Sequence, residues 1–536
     1  MDHDDNEIDL EEFPLSYSQE RLWLLDVMSP GESVYNMSAA FKLAGQLNIP
    51  ALEQAFQAII DRHESLVTNF TTVDEQPVQF LREEEPFEVE QVTLATGQTL
   101  VEFAKEHGNR PFDLASDMLL RVAVVSLADA EYMLCISMHH IISDGLSVAV
   151  LMRELLLSYE ACLQGVELDL PELEIQYIDY AEWQRDNFTL ETMANDIAFW
   201  KNALSGVEKL KLVTDFPHAP LQTFAGGNSL FTIPKTLESS IYDYLDSESE
   251  LTQYALLMSV YHLFLYRMTG QQDITVGTPV ANRDRVELEP LIGFFVNTVV
   301  IRGQLEGSAG FDVLASQIKQ QSIAAFTHQQ VPFEMLVQAL SPERDTTTTP
   351  FFQTMFSLQN AVTEQPHLSG VDMTPMDIDY GRSRFYLMLE IKQTEQGLVG
   401  CWEYNADLFS AARVSEFTEH FLCLLQSALA SPTTALDQLP LYLSRQQTLA
   451  PHPKTSLINL FDKISETQPE QIAVVCGSGE YSYHWLQVRS NQIAQYLQQQ
   501  GIKSGDKLAI ELSSDIDAYQ VLLATQRMGV SFIPVN

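Results

Sequence analysis

The stretch YMLCISMHHIISDGLS, Tyr132 to Ser147, places two adjacent histidines, an aspartate and a glycine directly after an apolar run. Histidine has an ordinary pKa of about 6.5, which suits proton transfer near neutral pH. A nearby aspartate can fix the tautomer of an imidazole, as in a catalytic triad, or can pair with a distant arginine and brace the loop. The spacing alone leaves a proton-transfer site and a pair of packed strand-end histidines equally open.

The elements around this stretch predict how the two imidazoles are placed. Successive side chains of a strand point to opposite faces, so His139 and His140 cannot both enter one cavity if the strand continues through them. One should face a site and the other should be buried. Gly145 permits a tight or left-handed backbone after Asp144, and LSVAVLMRELLLSYEACLQG has helical length and ends on a glycine. A strand, a turn and a helix therefore surround the double histidine.

The same mixture of elements continues along the chain. PALEQAFQAIIDR has the apolar spacing of an amphipathic helix, LLRVAVVSL and YMLCISM are typical of neighbouring buried strands, and SIYDYLDSESELTQYALLMSVYHLFLYRMTG holds two helical patterns. Five further strands are predicted in DITVGTPV, FFVNTVVIRG, FFQTMFSLQ, RFYLMLEIKQT and LVGCWEYNA. The pattern predicts an acidic tail at 1–12, two α/β lobes at 13–190 and 191–445, a linker at 446–456 and a further α/β segment at 457–536.

Composition excludes several classes of protein. No apolar run reaches the ~18 residues that span a bilayer, and the acidic start is unlike a signal peptide, so we expect a cytoplasmic protein without a membrane partner. Thirty basic and 73 acidic side chains give a formal net charge of −43, which argues against nucleic acid as a partner. Five scattered cysteines (Cys135, Cys162, Cys401, Cys423 and Cys476) lack metal-ligand spacing, and we expect no metal site.

The double-histidine motif HHIISDG resembles the HHxxxDG signature of chloramphenicol acetyltransferase-like acyltransferases and of nonribosomal peptide synthetase condensation domains. Seven further stretches resemble condensation-domain motifs in the same order: LSYSQERLWLL, RHESLVT, YIDYAEWQ, VGTPVANR, IGFFVNTVVIR, HQQVPFE and RDTTTTPFFQ. After the linker, YSYHWL and RMGVSFIPVN resemble the first two motifs of an adenylation domain. The family's phosphate-binding loop does not occur before Asn536, so this segment is similar to only the N-terminal part of that domain.

The resemblance implies a pseudodimer of two acetyltransferase-like lobes arranged as a V, plus an incomplete α/β adenylation subdomain. It also implies an amide-forming acyltransferase of antibiotic and other secondary-metabolite biosynthesis. The acceptor α-amine would attack the donor thioester, and both substrates would arrive on the 4'-phosphopantetheine arms of an upstream donor and a downstream acceptor carrier protein. No cofactor would be bound directly. The remainder of the adenylation domain would be a further partner.

The same resemblance assigns roles to individual residues. His140 would face the tunnel and act as general base or position the amine, and His139 would support the strand. Asp144 would pair with Arg283 across the lobes, and Gly145 would let the backbone approach the substrate and is a candidate N–H donor to the oxyanion. Asn297 would order the site or cap a strand, and both readings stay open.

Some positions depart from the family pattern. Val67 replaces a common arginine, Gln330 replaces the aspartate of HQDVPFE, and Thr347 and Thr348 stand where arginine or asparagine is common. Tyr386, in SRFYLML, replaces an aspartate and is a candidate for substrate selectivity. The double-histidine motif itself is intact.

Two alternatives to condensation remain. An epimerization domain shares the motif and the lobes, although HQQVPFE and the adenylation-like segment favour condensation. A noncatalytic scaffold that recruits a carrier or a tailoring enzyme is the second alternative. The sequence leaves open the donor class and its stereochemistry, the acceptor, the product, the oligomeric state and whether Met1 and Asn536 are natural ends.

Overall fold

The computed structural model describes residues 11–83, 85–218, 223–248, 250–340, 349–359, 367–442, 456–476, 479–512 and 516–535. Most of the expected acidic tail and linker, together with Thr347 and Thr348, lies outside these residues. The chain divides into two compact units, Met1–Leu443 and Ser444–Asn536. Within the described part of the chain, no helix is long and apolar enough to cross a membrane.

The helices of the described residues lie in both units and are listed here in chain order. They are α1 (Tyr17–Met28), α2 (Ile49–Arg62), α3 (Leu100–Asn109), α4 (Gly145–Gln164), α5 (Tyr177–Asn187), α6 (Ala194–Ala203), α7 (Lys235–Ser247), α8 (Gln253–Thr269), α9 (Phe311–Thr327), α10 (Phe333–Leu340), α11 (Ala411–Ala430), α12 (Leu457–Thr467), α13 (Tyr483–Gln499) and α14 (Ile516–Met528).

The strands are interspersed with these helices along the chain. They are β1 (Glu12–Pro14), β2 (Asn36–Gly45), β3 (Thr68–Val73), β4 (Gln76–Leu81), β5 (Glu90–Val92), β6 (Leu120–Ala128), β7 (Glu131–His139), β8 (Gly226–Thr232), β9 (Asp273–Val280), β10 (Asn297–Gln304), β11 (Thr354–Gln359), β12 (His367–Leu368), β13 (Val371–Pro375), β14 (Leu387–Thr394), β15 (Gly397–Asn405), β16 (Ile472–Cys476), β17 (Gly479–Ser482), β18 (Lys507–Ile510) and β19 (Ser531–Pro534).

The N-terminal lobe is built on a sheet with the strand order β12-β13-β2-β7-β6-β5. One face carries Leu134, Ile136 and Met138 of β7 and shares a core with α2 and α4. The opposite face carries Cys135 and packs with Ala104 of α3. Alternation along β7 thus gives each face its own core, because successive side chains point in opposite directions.

The C-terminal lobe is built on a second sheet with the order β10-β9-β11-β14-β15-β8. Its strands are mostly antiparallel, but β11 runs parallel to β9 and to β14. Helix α8 is buried along almost its whole length, in a core that also includes Trp402 and Phe417. The expected α/β fold class is confirmed by both lobes.

One segment crosses between the lobes. Strands β12 and β13 belong by sequence to the second half, yet β13 pairs with the Phe41–Gly45 part of β2 in the N-terminal sheet. The pairing of β13 with β2 ends at Phe41 and is followed by one backbone hydrogen bond, from Met376 N to Ala40 O. The Asn36–Ala39 part of β2 therefore pairs with β7 on one edge and, among the described residues, has no paired strand on the other.

Local sequence signals account for most element boundaries. Helix α4 ends at Gly165, whose φ of 65° is the left-handed geometry that favours glycine. The strand predicted in FFVNTVVIRG is confirmed as β10, but it begins at Asn297 rather than at Phe294. Phe294 O accepts a hydrogen bond from the Tyr177 hydroxyl, and Phe295 N donates to the Asp144 carboxylate, so side chains hold this backbone out of the sheet.

The second unit contains α12, α13 and α14, an antiparallel pair β16–β17 and a parallel pair β18–β19. Asp462 of α12 and Arg527 of α14 form a two-pronged ion pair, with 2.7 Å between Arg527 Nη1 and Asp462 Oδ2. This pairing ties the first helix of the unit to its last.

Candidate active site

The double histidine lies where β7 ends and the chain turns into α4. Strand β7 stops at His139, a single 3₁₀ turn covers His140–Ile142, and Asp144 caps α4 by accepting a hydrogen bond from Ser147 N at 2.8 Å. His140 N donates to Tyr35 O at 2.8 Å, which fixes the turn against the chain just before β2. The turn therefore holds the His140 ring at the open part of the sheet.

His139 is buried in the N-terminal lobe. Its Nδ1 accepts a hydrogen bond from Ile141 N at 3.2 Å, and its ring lies edge-on to Phe112. Burial, with the neighbouring His140 and Arg121, lowers the pKa of His139 to about 3. His139 is thus a neutral packing residue near pH 7, and it is not among the residues that line the adjacent cavity.

His140 lines a cavity of about 390 Å³ between the two lobes. Its Nδ1–H donates to Ser143 O at 2.6 Å, so the neutral ring carries its lone pair on Nε2. Burial, and then the positive charge of Arg384, lowers the pKa of His140 to about 4. The ring centroid lies 4.7 Å from that of Phe294. His140 can therefore accept a proton or a hydrogen bond at Nε2.

Asp144 and Arg283 are brought together across the lobes. Arg283 Nη2 lies 3.2 Å from Asp144 Oδ1, and both side chains are almost fully buried. Asp144 Oδ1 also accepts from the Ser147 hydroxyl, and Arg283 Nη1 donates to Leu291 O at 2.7 Å. Every partner of the Asp144 carboxylate is thus a fixed group of the protein, which makes this aspartate a brace for the loop.

Gly145 is the first residue of α4 and lines the cavity beside His140. Its backbone is right-handed rather than left-handed, because Asp144 already starts the helix as its cap. A Cβ built on Gly145 would meet nothing within 4 Å. The glycine therefore leaves open space at the helix start next to the His140 imidazole.

The C-terminal lobe supplies a polar wall that sequence reasoning missed. Asn228 of β8, Arg384 and Glu403 line the cavity opposite the N-terminal sheet, and Arg384 N donates to Glu403 Oε1 at 3.0 Å. Arg382 also lines it and donates to the carbonyls of Ser33 and Gly108. The sequence feature that could have indicated this wall is the pair of arginines in GRSRF, which lie two and four residues before Tyr386.

Asn297 and Tyr386 lie away from this cavity. Asn297 Nδ2 donates to Gln329 O and Val331 O, and its Oδ1 accepts from Phe333 N at 3.0 Å, so the amide ties the start of β10 to the loop before α10. Tyr386 is 8% exposed in the core of the C-terminal lobe. Neither residue lines the cavity, and a role for Tyr386 in selectivity stays a prediction.

No group of three or more histidine, cysteine, aspartate or glutamate side chains within the described ranges is placed to hold a metal ion. The chemistry available at the cavity is that of a neutral imidazole, two guanidinium groups, a carboxylate and the N-terminus of a helix.

The first unit is thus a domain of two mixed α/β lobes with a histidine-lined cavity between them. Residues 10–449 match the model of the condensation domain family, and residues 461–536 match that of AMP-binding enzymes. The chain belongs to the condensation domain family and continues into the start of an AMP-binding domain. Condensation domains of nonribosomal peptide synthetases are amide-forming acyltransferases.

Known proteins agree with this family. A linear gramicidin synthase polypeptide of Brevibacillus parabrevis is 36% identical over 98% of this chain, which spans only 7% of that polypeptide's length. A four-domain nonribosomal peptide synthetase bound to AMP and glycine superimposes over the whole chain, and over 43% of its own length, with a TM-score of 0.76 and 21% identity. The X-domain in complex with OxyB from teicoplanin biosynthesis covers 81% of this chain and 97% of its own, with a TM-score of 0.74 and 23% identity.

Proposed function

We propose that this chain joins a carrier-bound acyl or peptidyl thioester to the α-amine of a carrier-bound aminoacyl group. The observation that carries the proposal is the neutral His140 ring, whose Nδ1–H is held by Ser143 O and whose Nε2 lone pair is available at the cavity between the lobes. The substrates would arrive on the phosphopantetheine arms of an upstream and a downstream carrier protein. The rest of the adenylation domain is proposed as a further partner.

The bond changes balance without an added reagent. The α-amine nitrogen attacks the thioester carbonyl carbon, which forms the C–N bond and a tetrahedral oxyanion. Collapse of this adduct breaks the C–S bond and releases the donor thiolate. The proton lost by the nitrogen passes to Nε2 of His140 and is returned to the departing sulfur. The products are an amide on the acceptor carrier and a free thiol on the donor carrier.

The low basicity of His140 indicates when the proton moves. An imidazole with a pKa of about 4 is too weak to deprotonate an ordinary ammonium group near pH 7. An α-amine has a pKa of about 7.7–8.0 and is partly neutral at that pH, so it can attack unaided while Nε2 accepts its hydrogen bond. Once C–N bonding makes the nitrogen strongly acidic, even a weak base can take the proton. His140 therefore positions the amine first and accepts its proton later.

The start of α4 fits the negative charge that develops on the oxyanion, and a buried ion pair holds it in place. The N-terminus of α4 begins at Gly145, and its backbone N–H groups favour a negative charge at this end of the helix. The buried brace of Asp144 and Arg283 keeps the helix start and the His140 turn in one position. Holding two tethered substrates in contact supplies much of the rate in such a reaction, so loss of His140 should reduce the rate without abolishing it.

The direct test loads separate carrier proteins with candidate acyl or peptidyl donors and with aminoacyl acceptors, and mixes them with this chain. Amide on the acceptor carrier is followed by intact-protein mass spectrometry. We expect amide with the wild-type chain and a rate at least tenfold lower for folded His140→Ala. His139→Ala is the adjacent-histidine control, and its folding must be verified because its ring is buried.

The remaining outcomes separate the alternatives. Inversion at the α-carbon of a single loaded carrier, without amide, would identify an epimerization domain. Carrier binding without either reaction would identify a recruiting scaffold. Amide formation that is unchanged in folded His140→Ala would place the chemistry on another group.

A further inference from the structure

The RHESLVT stretch lies at the end of α2, and its residues do not line the cavity beside His140. It forms a 3₁₀ turn, Glu64–Val67, directly after His63. His63 and Ser65 are both almost fully buried. A buried imidazole and a buried hydroxyl each need a hydrogen-bonding partner, so their partners identify what this turn holds.

Both side chains bond one residue from the C-terminal half of the first unit. Ile292 N donates to His63 Nδ1 at 3.4 Å, and Ser65 Oγ donates to Ile292 O at 2.8 Å. The Ile292 side chain is buried in the core of the N-terminal lobe. A residue from the second half is thus inserted into the first lobe, and its backbone is held at both polar groups.

The other ring nitrogen of His63 is bonded by α4. His63 Nε2 lies 2.9 Å from Oε2 of the buried Glu154. Glu154 Oε1 also lies 3.4 Å from Arg62 Nε. A carboxylate can only accept a hydrogen bond, so the proton of the neutral His63 ring lies on Nε2, and Nδ1 is left as the acceptor for Ile292 N. Glu154 therefore selects the tautomer that can bond the loop.

A third segment anchors this turn. Gln176 Nε2 donates to Arg62 O at 3.0 Å, and Gln176 Oε1 accepts from Glu64 N at 3.3 Å. Gln176 is the N-cap residue of α5. Because the backbone on both sides of His63 is fixed to α5, this histidine can set the position of a loop rather than follow it.

The loop leads from Ile292 to the His140 ring in two residues. Gly293 bonds the Ser147 hydroxyl of α4 through its backbone N–H and through its carbonyl. Phe294 then packs on the His140 ring, with 4.7 Å between the ring centroids. A shift of the Ile292 backbone would therefore be passed directly to the side chain that contacts the imidazole.

We propose that His63 is a positioning residue: the bond from Ile292 N to its Nδ1 sets the position of the 291–295 loop and, through Phe294, the placement of the His140 ring. Glu154 serves this role by fixing the His63 tautomer. The kinetic consequence rests on the proposed function, whereas the placement of the ring is measurable without turnover. A displacement of reacting groups by about 1 Å can lower a rate about a hundredfold.

The first measurement records the His140 ring signal by NMR of the full chain with carbon-13-labelled histidine. The signal is assigned by its absence in His140→Ala, and Phe294→Leu gives its position without the neighbouring aromatic ring. His63→Gln can still donate to Glu154 but has no acceptor at the position of Nδ1. We expect its His140 signal to move from the wild-type position toward that of Phe294→Leu. An unmoved signal in folded His63→Gln would overturn the inference.

His63→Asn is the matched variant. Its amide oxygen can accept from Ile292 N at the position of Nδ1, but its side chain is too short to replace the bond to Glu154. We expect its His140 signal to stay close to that of wild type. If His63→Asn and His63→Gln move the signal equally, the bond to Ile292 N does not place the ring.

Variants of Glu154 test the tautomer, and they keep the inference testable if His63→Gln does not fold. Glu154→Gln retains an oxygen that can accept from His63 Nε2–H. Glu154→Leu removes this acceptor, so the ring proton can move to Nδ1 and oppose Ile292 N–H. We expect Glu154→Leu to shift the His140 signal and Glu154→Gln to preserve it. Equal positions of the signal in these two variants would contradict the role of Glu154.

The kinetic readout is the single-turnover rate of amide formation at saturating concentrations of loaded carrier proteins. We expect His63→Gln to be at least about tenfold slower than wild type with an unchanged carrier Kd, and His63→Asn to recover most of the rate. A slower rate with an unmoved His140 signal would count against positioning.

His262→Gln controls for a general loss of stability. His262 is a buried histidine of the C-terminal lobe whose ring nitrogens lie near Met258 O and Ile301 O, within that lobe. This variant should lower the melting temperature without moving the His140 signal or changing the rate. If it moves the signal as far as His63→Gln does, the shift reflects destabilisation and the assignment to His63 fails.

The ring signal and turnover fail separately. A shifted His140 signal in His63→Gln, with no amide even from wild type, would support the placement of the ring by His63 and contradict the proposed reaction. Amide formation at the wild-type rate in folded His63→Gln would support the reaction and overturn the role of His63.

Discussion

At the scale of single residues, the reactivity of His140 is set by one hydrogen bond and by its surroundings. The Ser143 carbonyl accepts a hydrogen bond from Nδ1–H, and burial together with the charge of Arg384 keeps the ring neutral well below pH 7. A neutral ring with a free Nε2 can serve an amine at every pH at which the amine itself is neutral. In the proposed reaction, the ring would therefore be neutral before the substrates arrive.

Replacing Arg384 by methionine should raise the pKa of His140, because it removes a positive charge that disfavours the imidazolium. The readout is the NMR chemical-shift titration of the His140 ring, assigned by comparison with His140→Ala. The ring should titrate near pH 4 in wild type and at a higher pH in Arg384→Met. Arg382→Met, which removes a guanidinium from the same cavity, is the matched control and should titrate like wild type. Superimposable titration curves for wild type and Arg384→Met would contradict this account.

Breaking the buried pair should cost more than breaking an exposed one. Asp144→Asn leaves the Arg283 guanidinium buried beside a neutral amide, and we expect the free energy of unfolding to fall by about 3 kcal/mol. Glu250→Gln removes an exposed partner of Lys319 and should leave the urea midpoint close to that of wild type. Urea unfolding of both variants measures the difference. Similar losses in the two variants would show that burial of the pair has no special effect.

At the scale of elements, the loop before β10 connects the brace to the reactive imidazole. Gly293 N and O both bond the Ser147 hydroxyl, Phe294 packs on the His140 ring, and Phe295 N bonds Asp144. The loop therefore links α4 of one lobe to β10 of the other through consecutive residues.

Gly293→Ala should distort this loop. Its Cβ would lie 2.0 Å from Cδ2 of Tyr177, whose buried ring is held by hydrogen bonds to Ser16 and Phe294. We expect a loss of about 1–3 kcal/mol in stability together with slower amide formation. Gly145→Ala meets no atom within 4 Å and should keep the wild-type melting temperature. Thermal unfolding with single-turnover assays compares the two, and an unchanged melting temperature for Gly293→Ala would contradict the expected clash.

The sequence was sufficient to predict the helices and strands whose signals are local. The ends of α4, the two helices α7 and α8 and the strand before His139 follow from periodicity and from a glycine stop. It could not reach contacts between distant segments. The addition of β13 to the first sheet and the placement of Arg384 opposite His140 join residues more than 200 positions apart, and no local pattern encodes such a pairing. The Phe294–Val296 segment failed for the same reason, since its partners are side chains from other elements.

At the scale of the whole molecule, buried histidines make the first unit sensitive to acid. Burial lowers the pKa of His139 to about 3 and the pKa values of His107, His140 and His262 to about 4. His107, His139 and His140 lie in the N-terminal lobe and His262 in the C-terminal lobe. In the unfolded chain each would titrate near 6.5, so unfolding takes up protons between about pH 6.5 and pH 4.

The free energy of unfolding should therefore fall as the pH is lowered through this window. Each buried histidine contributes about 1.4 kcal/mol per pH unit once its unfolded form is protonated, so these four should together remove about 4–5 kcal/mol between pH 6 and pH 5. His262→Gln should reduce that slope by about one quarter, because it removes one of the four groups. Urea unfolding at pH 5 and pH 6, with pH 7 and pH 8 as a reference where their contribution is small, measures the slope. If the His262→Gln slope equals that of wild type, proton uptake by this histidine does not drive the acid sensitivity, and the explanation must move to the carboxylates.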